Sequence, residues 1–229
     1  MAMNCDYCSN YIYDEEEDSY YCDVNLDEDE YYRLVHSDYK NCPYYHSNDD
    51  YKIVRHQMKK MYDLEERFEF RNITQEEADQ AVKIEEICFP PQEACSEQMM
   101  LERVKTAPEL FLVAIDRETG KIAGFLNGLS TDEEVFRDDF FTGTSLYVPE
   151  GENIMLLGLD VLPQYRRQGL ASEIMRRYVE TEKAKGRKKL ILTCLDAKVA
   201  MYQKMGYEDL GLAQSSWGGE EWHEMCIQL

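Results

Sequence analysis

Between Leu159 and Ser172 an apolar strand runs into an arginine-bearing glycine turn, Arg166, Arg167, Gln168 and Gly169, and then straight into the helix-forming Leu170, Ala171 and Ser172. Amides at a fresh helix N-terminus have no partners inside the helix, and the positive end of the helix dipole adds to them, so this junction can hold an anion such as a phosphate. Gly169 and the small Ala171 let an anion's oxygens approach the main chain. From Arg166 to Lys189 there are nine Lys or Arg against three Glu, in a chain whose formal net charge is -21. A basic island in so acidic a protein suggests a bound polyanion. Arg187, Lys188 and Lys189 either add charge around phosphates or compensate the C-terminal end of the helix dipole.

A second set of residues suits metal chemistry. Cys5, Cys8, Cys22 and Cys42 could surround a tetrahedral zinc ion, Cys5 and Cys8 at the Cys-x-x-Cys spacing, with His36 or His46 as substitute ligands. The Cys42-Pro43 ending also fits an iron–sulfur cluster, and unligated thiols are the plain alternative. Cys194 sits inside an apolar strand and reads as core; Cys88 and Cys95 flank a loop and read as buried thiols.

The elements that would position these residues fall into two unequal parts. Residues 1–50 hold fourteen Asp or Glu against Arg33 and Lys40, four of the eight cysteines, many tyrosines and few aliphatic residues, so they form an acidic cysteine-rich module that burial alone would hardly hold together. Residues 51–66 are a linker or connecting helix. Residues 67–229 alternate strands and helices. Phe68 to Ile73 is a strand, Thr74 and Glu77 open a helix with a capping box, and Pro90-Pro91 ends it. Ser96 caps a helix through Lys105. Strands follow at Leu110 to Ile115 and Ile122 to Leu129, a hairpin turned at Gly120. Ile154 to Leu162 is a strand whose Gly158 marks a bulge or a close backbone approach. The helix after Gly169 stops near Gly186, Leu190 to Cys194 is buried strand, Asp196 caps a helix through Met205, and Glu221 to Leu229 is the last strand.

Composition excludes some classes. So negative a chain is a poor general binder of nucleic acid, no segment is long and apolar enough to cross a bilayer, and Met1 to Cys5 leads into no signal-like run, so a cytoplasmic protein is expected.

Residues Phe68 to Leu229 resemble the GNAT superfamily of acetyl-CoA-dependent N-acetyltransferases. Arg166-x-x-Gly169-x-Ala171 looks like its pyrophosphate signature, and the run from Asp196 to Tyr207, with Tyr202, Gly206 and Tyr207, looks like its closing helix. Ile84-Glu85 followed by Cys88-Phe89-Pro90-Pro91, then Ala107 to Leu110, Cys194 with Asp196-Ala197, and Glu224-Met225 are similar to the arylalkylamine (serotonin) N-acetyltransferase branch. The resemblance implies an α/β (α+β) fold with a mixed, mostly antiparallel sheet flanked by helices, two strands of which splay to admit the cofactor's pantetheine.

It also implies roles. Leu159 and Val161 hold the pantetheine through their backbone, and the turn from Arg166 to Ser172 holds the pyrophosphate. Tyr202 is the general acid toward the departing thiolate. The paired histidines that the vertebrate enzyme carries on its bulged strand correspond here to Met155 and Leu157, which cannot relay a proton. Glu93, in the loop after the double proline, resembles a loop glutamate of insect relatives and is the candidate base, a surface role being its plain alternative. Phe89, Phe111 and Phe125 either line an amine pocket or pack the core, and His223 is structural. The expected activity is acetyl transfer from acetyl-CoA to a small primary amine, an arylalkylamine or a polyamine. The alternatives are an acyl-CoA-binding regulatory protein or a protein N-acetyltransferase recruited by the first module. Nothing in the sequence fixes the oligomeric state.

Overall fold

The computed structural model describes residues 8, 10–14, 18–24, 42, 44–45 and 63–229. The chain divides into two compact units, Met1–Asp63 and Leu64–Leu229. In the first, β1 (Tyr11–Asp14) and β2 (Ser19–Cys22) form an antiparallel hairpin on which Tyr11 stacks over Tyr20, ring centroids 5.4 Å apart. Cys8 is buried with its thiol directed at the Tyr44 carbonyl, Cys22 is exposed and Cys42 is half-buried. Cys5 lies outside the described residues. Among the described residues no group of three His, Cys, Asp or Glu could hold a metal ion, so zinc gains no support.

The second unit is one seven-stranded sheet. Its strands are β3 (Phe68–Asn72), β4 (Phe111–Asp116), β5 (Lys121–Thr131), β6 (Asn153–Val161), β7 (Lys189–Cys194), β8 (Glu208–Leu212) and β9 (His223–Gln228), in the spatial order β3-β4-β5-β6-β7-β9-β8. Every neighbouring pair is antiparallel except β6 and β7, giving the expected mixed, mostly antiparallel sheet. The helices are α1 (Ala78–Cys88), α2 (Glu97–Thr106), α3 (Asp139–Thr142), α4 (Leu170–Ala184) and α5 (Asp196–Lys204). None of the helices among the described residues is long and apolar enough to cross a membrane.

Strand alternation sorts the core onto both faces of the sheet. Phe111, Val113, Ile115, Ile122 and Phe125 meet Ala81 and Ile84 of α1 and Met100 and Val104 of α2. On the other face Ala114, Ala123, Leu126 and Leu129 meet Leu170, Ile174 and Tyr178 of α4. Phe111 and Phe125 are therefore core, their centroids 4.9 Å apart, while Phe89 is half-buried.

Local signals act where the residues predict. The Thr74 amide donates to Glu77 Oε2 at 2.9 Å, and Ser96 Oγ accepts from the Met99 amide at 3.3 Å. Phe89, before the two prolines, is extended and ends α1. Asp196 is the first residue of α5 rather than its cap, a position held by Leu195 with no side-chain bond. In the second unit, edge strand β8 and the short α3 have no counterpart in the sequence reading, whereas the Gly218-Gly219 turn expected before the last strand is present at Trp217–Gly219.

Candidate active site at the splayed strands

The parallel pairing of β6 and β7 covers only Asn153 to Met155 against Lys189 to Ile191. Beyond it β6 continues to Val161 and β7 to Cys194 without pairing to each other, which leaves a gap between two strands. The parting coincides with a bulge: Asn127 lies opposite Gly158 and Gly128 opposite Leu156, so Leu157 is the extra residue. Met155 and Leu157 are both buried in the apolar core and have no proton to give.

The free stretch of β6 carries Leu159 and Val161. The Val161 carbonyl already accepts from Arg166 Nε at 2.8 Å and from the Cys88 thiol at 3.5 Å, so only its amide could serve an extended ligand. Past β6 the chain turns through Pro163–Tyr165. Arg167, at φ 61°, and Gly169, at φ 85°, then take the left-handed conformation before α4 starts at Leu170. The first intrahelical bond runs from the Glu173 amide to the Gly169 carbonyl at 3.0 Å, so the amides of Leu170, Ala171 and Ser172 precede the ladder and point out of the helix end. The turn is braced from beneath: Arg67 lies over the rings of Phe68 and Tyr165 and donates to Gln168 Oε1 at 2.7 Å. Gln168 Nε2 in turn donates to the Gln164 carbonyl, so this side chain supports the turn and leaves its amide for a ligand.

Arg166 and Arg167 are exposed at this helix start. Six others of the basic island are committed elsewhere. Arg176 and Arg177 pair with Glu173, Lys185 and Arg187 with Glu182, Lys188 with Glu152 and Lys189 with Glu134. Arg187 also donates to the carbonyls of Gly151 and Pro149. Of the two roles open to Arg187, Lys188 and Lys189, these pairings fit the second, since the side chains close the far end of α4. A cavity of about 390 Å³ opens beside Ser172. It lies between Ser172, Met175 and Val179 of α4 and Met201, Lys204 and Met205 of α5.

Tyr202 of α5 packs edge-on against Tyr207, centroids 5.9 Å apart. Burial, then the proximity of Cys194 and of Asp160, raises the pKa of its phenol. Cys194 ends β7 and Asp160 lies on β6, so Tyr202 sits within electrostatic reach of both strands that border the gap. Burial pushes the thiols of Cys88 and Cys194 to about 11 and that of Cys95 to about 12, which excludes them as thiolates at neutral pH. His223 is held by Asp209 at 3.0 Å.

Glu93 is half-exposed on the loop between α1 and α2. Its carbonyl accepts from Trp217 Nε1 at 2.8 Å, and burial together with the charge of Glu220 raises its pKa. Two residues on, the Cys95 amide donates to Glu85 Oε1 at 3.0 Å, tying this loop to a carboxylate buried in α1. Glu85, Asp160, Asn127 and Arg103 form a polar group under the bulge that the sequence reading passed over. Its signal was an acid at a core position: Glu85 shares the apolar stripe of Ala81, Ile84 and Cys88, and Asp160 stands alone in an apolar strand.

Known proteins share this architecture. A solved GNAT-like decarboxylase, GphF, in complex with isobutyryl-CoA, superposes with a TM-score of 0.60 at 17% identity, over 70% of this chain and 98% of that one. The loading GNATL domain of CurA from Lyngbya majuscula gives 0.61 at 13% identity, over 70% and 97%. A phosphinothricin acetyltransferase from Sinorhizobium meliloti in complex with acetyl-CoA gives 0.52 at 16% identity, over 71% and 88%. By sequence, the uncharacterized N-acetyltransferase YkwB of Bacillus subtilis (strain 168) is 26% identical over 154 residues, 62% of this chain. The match spans 66% of that relative, just under two thirds of its length. Residues 2–58 match a domain of unknown function (DUF6472). Residues 58–207, well over half the chain, match the acetyltransferase (GNAT) family, and the chain belongs to that family.

Proposed function

We propose that this chain transfers an acetyl group from acetyl-CoA to the nitrogen of a small primary amine, an arylalkylamine or a polyamine. The observation that carries this reading is the gap between β6 and β7 running to the unladdered amides that follow Gly169. A narrow slot beside free strand backbone suits an extended pantetheine, and outward-facing helix-end amides suit a diphosphate. Bound there, acetyl-CoA supplies an activated thioester carbonyl.

The chain's residues divide the remaining work. Amides from Arg167 to Ser172 grip the diphosphate, with Arg166 and Arg167 adding charge. The backbone of Leu159 and the amide of Val161 align the pantetheine. Tyr202 gives its proton to the departing sulfur, a task that a phenol kept fully protonated by its surroundings can perform. Glu93, beside Glu220, draws in the ammonium form of the acceptor, as does the acidic surface in general. A half-exposed carboxylate is screened by water, so in this reading Glu93 receives the cation and the proton goes to a more buried base.

The test is an assay of the full-length chain with acetyl-CoA and tryptamine, phenethylamine, spermidine or putrescine, read as free thiol release. Turnover well above hydrolysis is expected with at least one of them. Hydrolysis alone with every amine would contradict the reading.

A further inference from the structure

Four polar side chains are buried together on the face of β6 that meets α1 and α2. Glu85 of α1 is 4% exposed, Arg103 of α2 3%, Asn127 of β5 1% and Asp160 of β6 0%. They have few partners. Glu85 Oε1 accepts the Cys95 amide, Arg103 Nη2 donates to the Phe141 carbonyl at 3.1 Å, and Asn127 Nδ2 donates to the Gly158 carbonyl at 3.5 Å. Glu85 Oε2, Arg103 Nε, Asn127 Oδ1 and both oxygens of Asp160 have none. Buried polar atoms are almost always satisfied, so a group of orphans in one place signals something that the protein atoms alone do not supply.

Glu85, Asp160 and Asn127 meet at Gly158. A methyl group on it would lie 3.0 Å from Asp160 Oδ2, 3.1 Å from Asn127 Nδ2 and 3.5 Å from Glu85 Oε2. Two carboxylates this close and cut off from water cannot both ionise. One proton held between them satisfies an oxygen of each. Charge agrees with this count. Arg103 is the buried cation beside Glu85, so one negative charge on the pair leaves the buried group neutral, whereas two would leave it unbalanced. The other titratable groups facing it are Cys88 of α1, Cys95 of the following loop and Tyr202 of α5, all protonated, and the exposed Arg166 beyond β6.

We propose that Glu85 and Asp160 share one proton and form the base that takes the surplus proton of the acceptor ammonium. This inference rests on the acetyl-transfer reading above. In the step, an N–H bond of the ammonium breaks with its electron pair left on nitrogen, and an O–H bond forms on the ionised carboxylate of the pair. The neutral amine then attacks the thioester carbonyl. The second proton that nitrogen must lose ends on the departing sulfur by way of Tyr202, and the pair gives up its extra proton to solvent once the product has left the gap.

The location favours this order of events. The pair lies directly behind the bulge that borders the gap, where a fixed negative charge would oppose the charge developing on the thioester oxygen. Taking up the ammonium proton removes that charge before the oxygen acquires its own. A histidine at Met155 or Leu157 is then not required, which accounts for apolar residues being tolerated there.

The test uses the full chain with acetyl-CoA and spermidine or tryptamine, comparing the parent with Asp160→Asn and Glu85→Gln. Acetyl-CoA affinity should stay within about twofold while kcat near neutral pH falls about 100-fold, the lower end of what a positioned base contributes. In the variants, kcat/KM should rise tenfold per pH unit, because only amine that arrives neutral can react, where the parent reaches a plateau. Variants that bind acetyl-CoA and keep the parent's kcat and pH profile would overturn the proposal. A second readout needs no turnover: infrared titration of the parent should show the carbonyl stretch of a protonated carboxyl at neutral pH, lost in either variant. Absence of that band in the parent overturns the shared proton. A parent that shows the band but acetylates neither amine nor any other would remove the transferase reading, and the role of base with it, while leaving the shared proton standing. Should Asp160→Asn fail to fold, Glu85→Gln carries both readouts.

Discussion

Glu85 and Asp160 arrive from a helix and a strand to press on the same face of Gly158, their nearest oxygens 3.5 Å and 3.0 Å from the position a methyl group would take there. This relationship couples the bulge, which parts two strands, to a buried carboxylate pair. Gly158 is thus required by proximity, since its φ lies outside the left-handed region.

Gly158→Ala should therefore destabilise the second unit by about 1–3 kcal/mol, the ordinary cost of overpacking, because the Asp160 carboxylate at 3.0 Å and the Asn127 amide at 3.1 Å must give way together. Urea denaturation checks this. A midpoint equal to the parent's would show that Asp160 and Asn127 can move aside freely.

Burial raises the pKa of Glu85 and of Asp160 in the folded chain, and neighbouring charge raises that of Asp160 further. The folded state then binds more protons than the unfolded state from the ordinary carboxylate range, about pH 4, up to the folded values. The contribution of the pair is fully present below that window and is lost as pH rises through it. Asp160→Asn should flatten this decline in denaturation midpoints as pH rises above about 4. An identical slope in parent and variant would show that Asp160 does not titrate there.

Gly169 holds φ at 85°, a conformation that costs an L-residue about 1–2 kcal/mol. Gly169→Ala should lower stability by about that amount and weaken acetyl-CoA binding about tenfold or more, as the turn amides lose their alignment. Calorimetry on the variant separates the two effects.

Tyr202→Phe and Glu93→Gln should fail differently. Loss of the phenol should lower kcat about 100-fold with acetyl-CoA affinity unchanged. Loss of the Glu93 carboxylate should raise KM for a cationic amine several-fold with little change in kcat, and less so at high salt. A Glu93→Gln variant whose kcat collapses would make Glu93 the base.

Much of this was legible in the residues. Prolines 90 and 91, the caps at Thr74 and Ser96 and the glycines at 169 and 206 mark where elements start and stop, and the apolar runs give strands β4 to β7. Strand β8 was not legible because Glu208 to Leu212 is an exposed edge without an apolar run, and only pairing with β9 makes it a strand. Segment α3 was missed for a related reason: Phe136 and Phe140 are wholly buried, but in a stretch too short for its periodicity to show. Charge along the chain misled in another way, since a basic count from Arg166 to Lys189 says nothing of the glutamates that fold against it. Glu85 and Asp160 were visible singly as acids at core positions. That they meet at Gly158 depends on α1 packing across β6, a fact of tertiary structure alone.

The central claim is that the bend through Arg167 and Gly169, together with the gap between β6 and β7, receives acetyl-CoA. Isothermal titration of the folded full-length chain with acetyl-CoA tests it most directly. The account predicts a saturable site that CoA also occupies and that Gly169→Ala weakens, whereas folded protein with no affinity for either compound would contradict it.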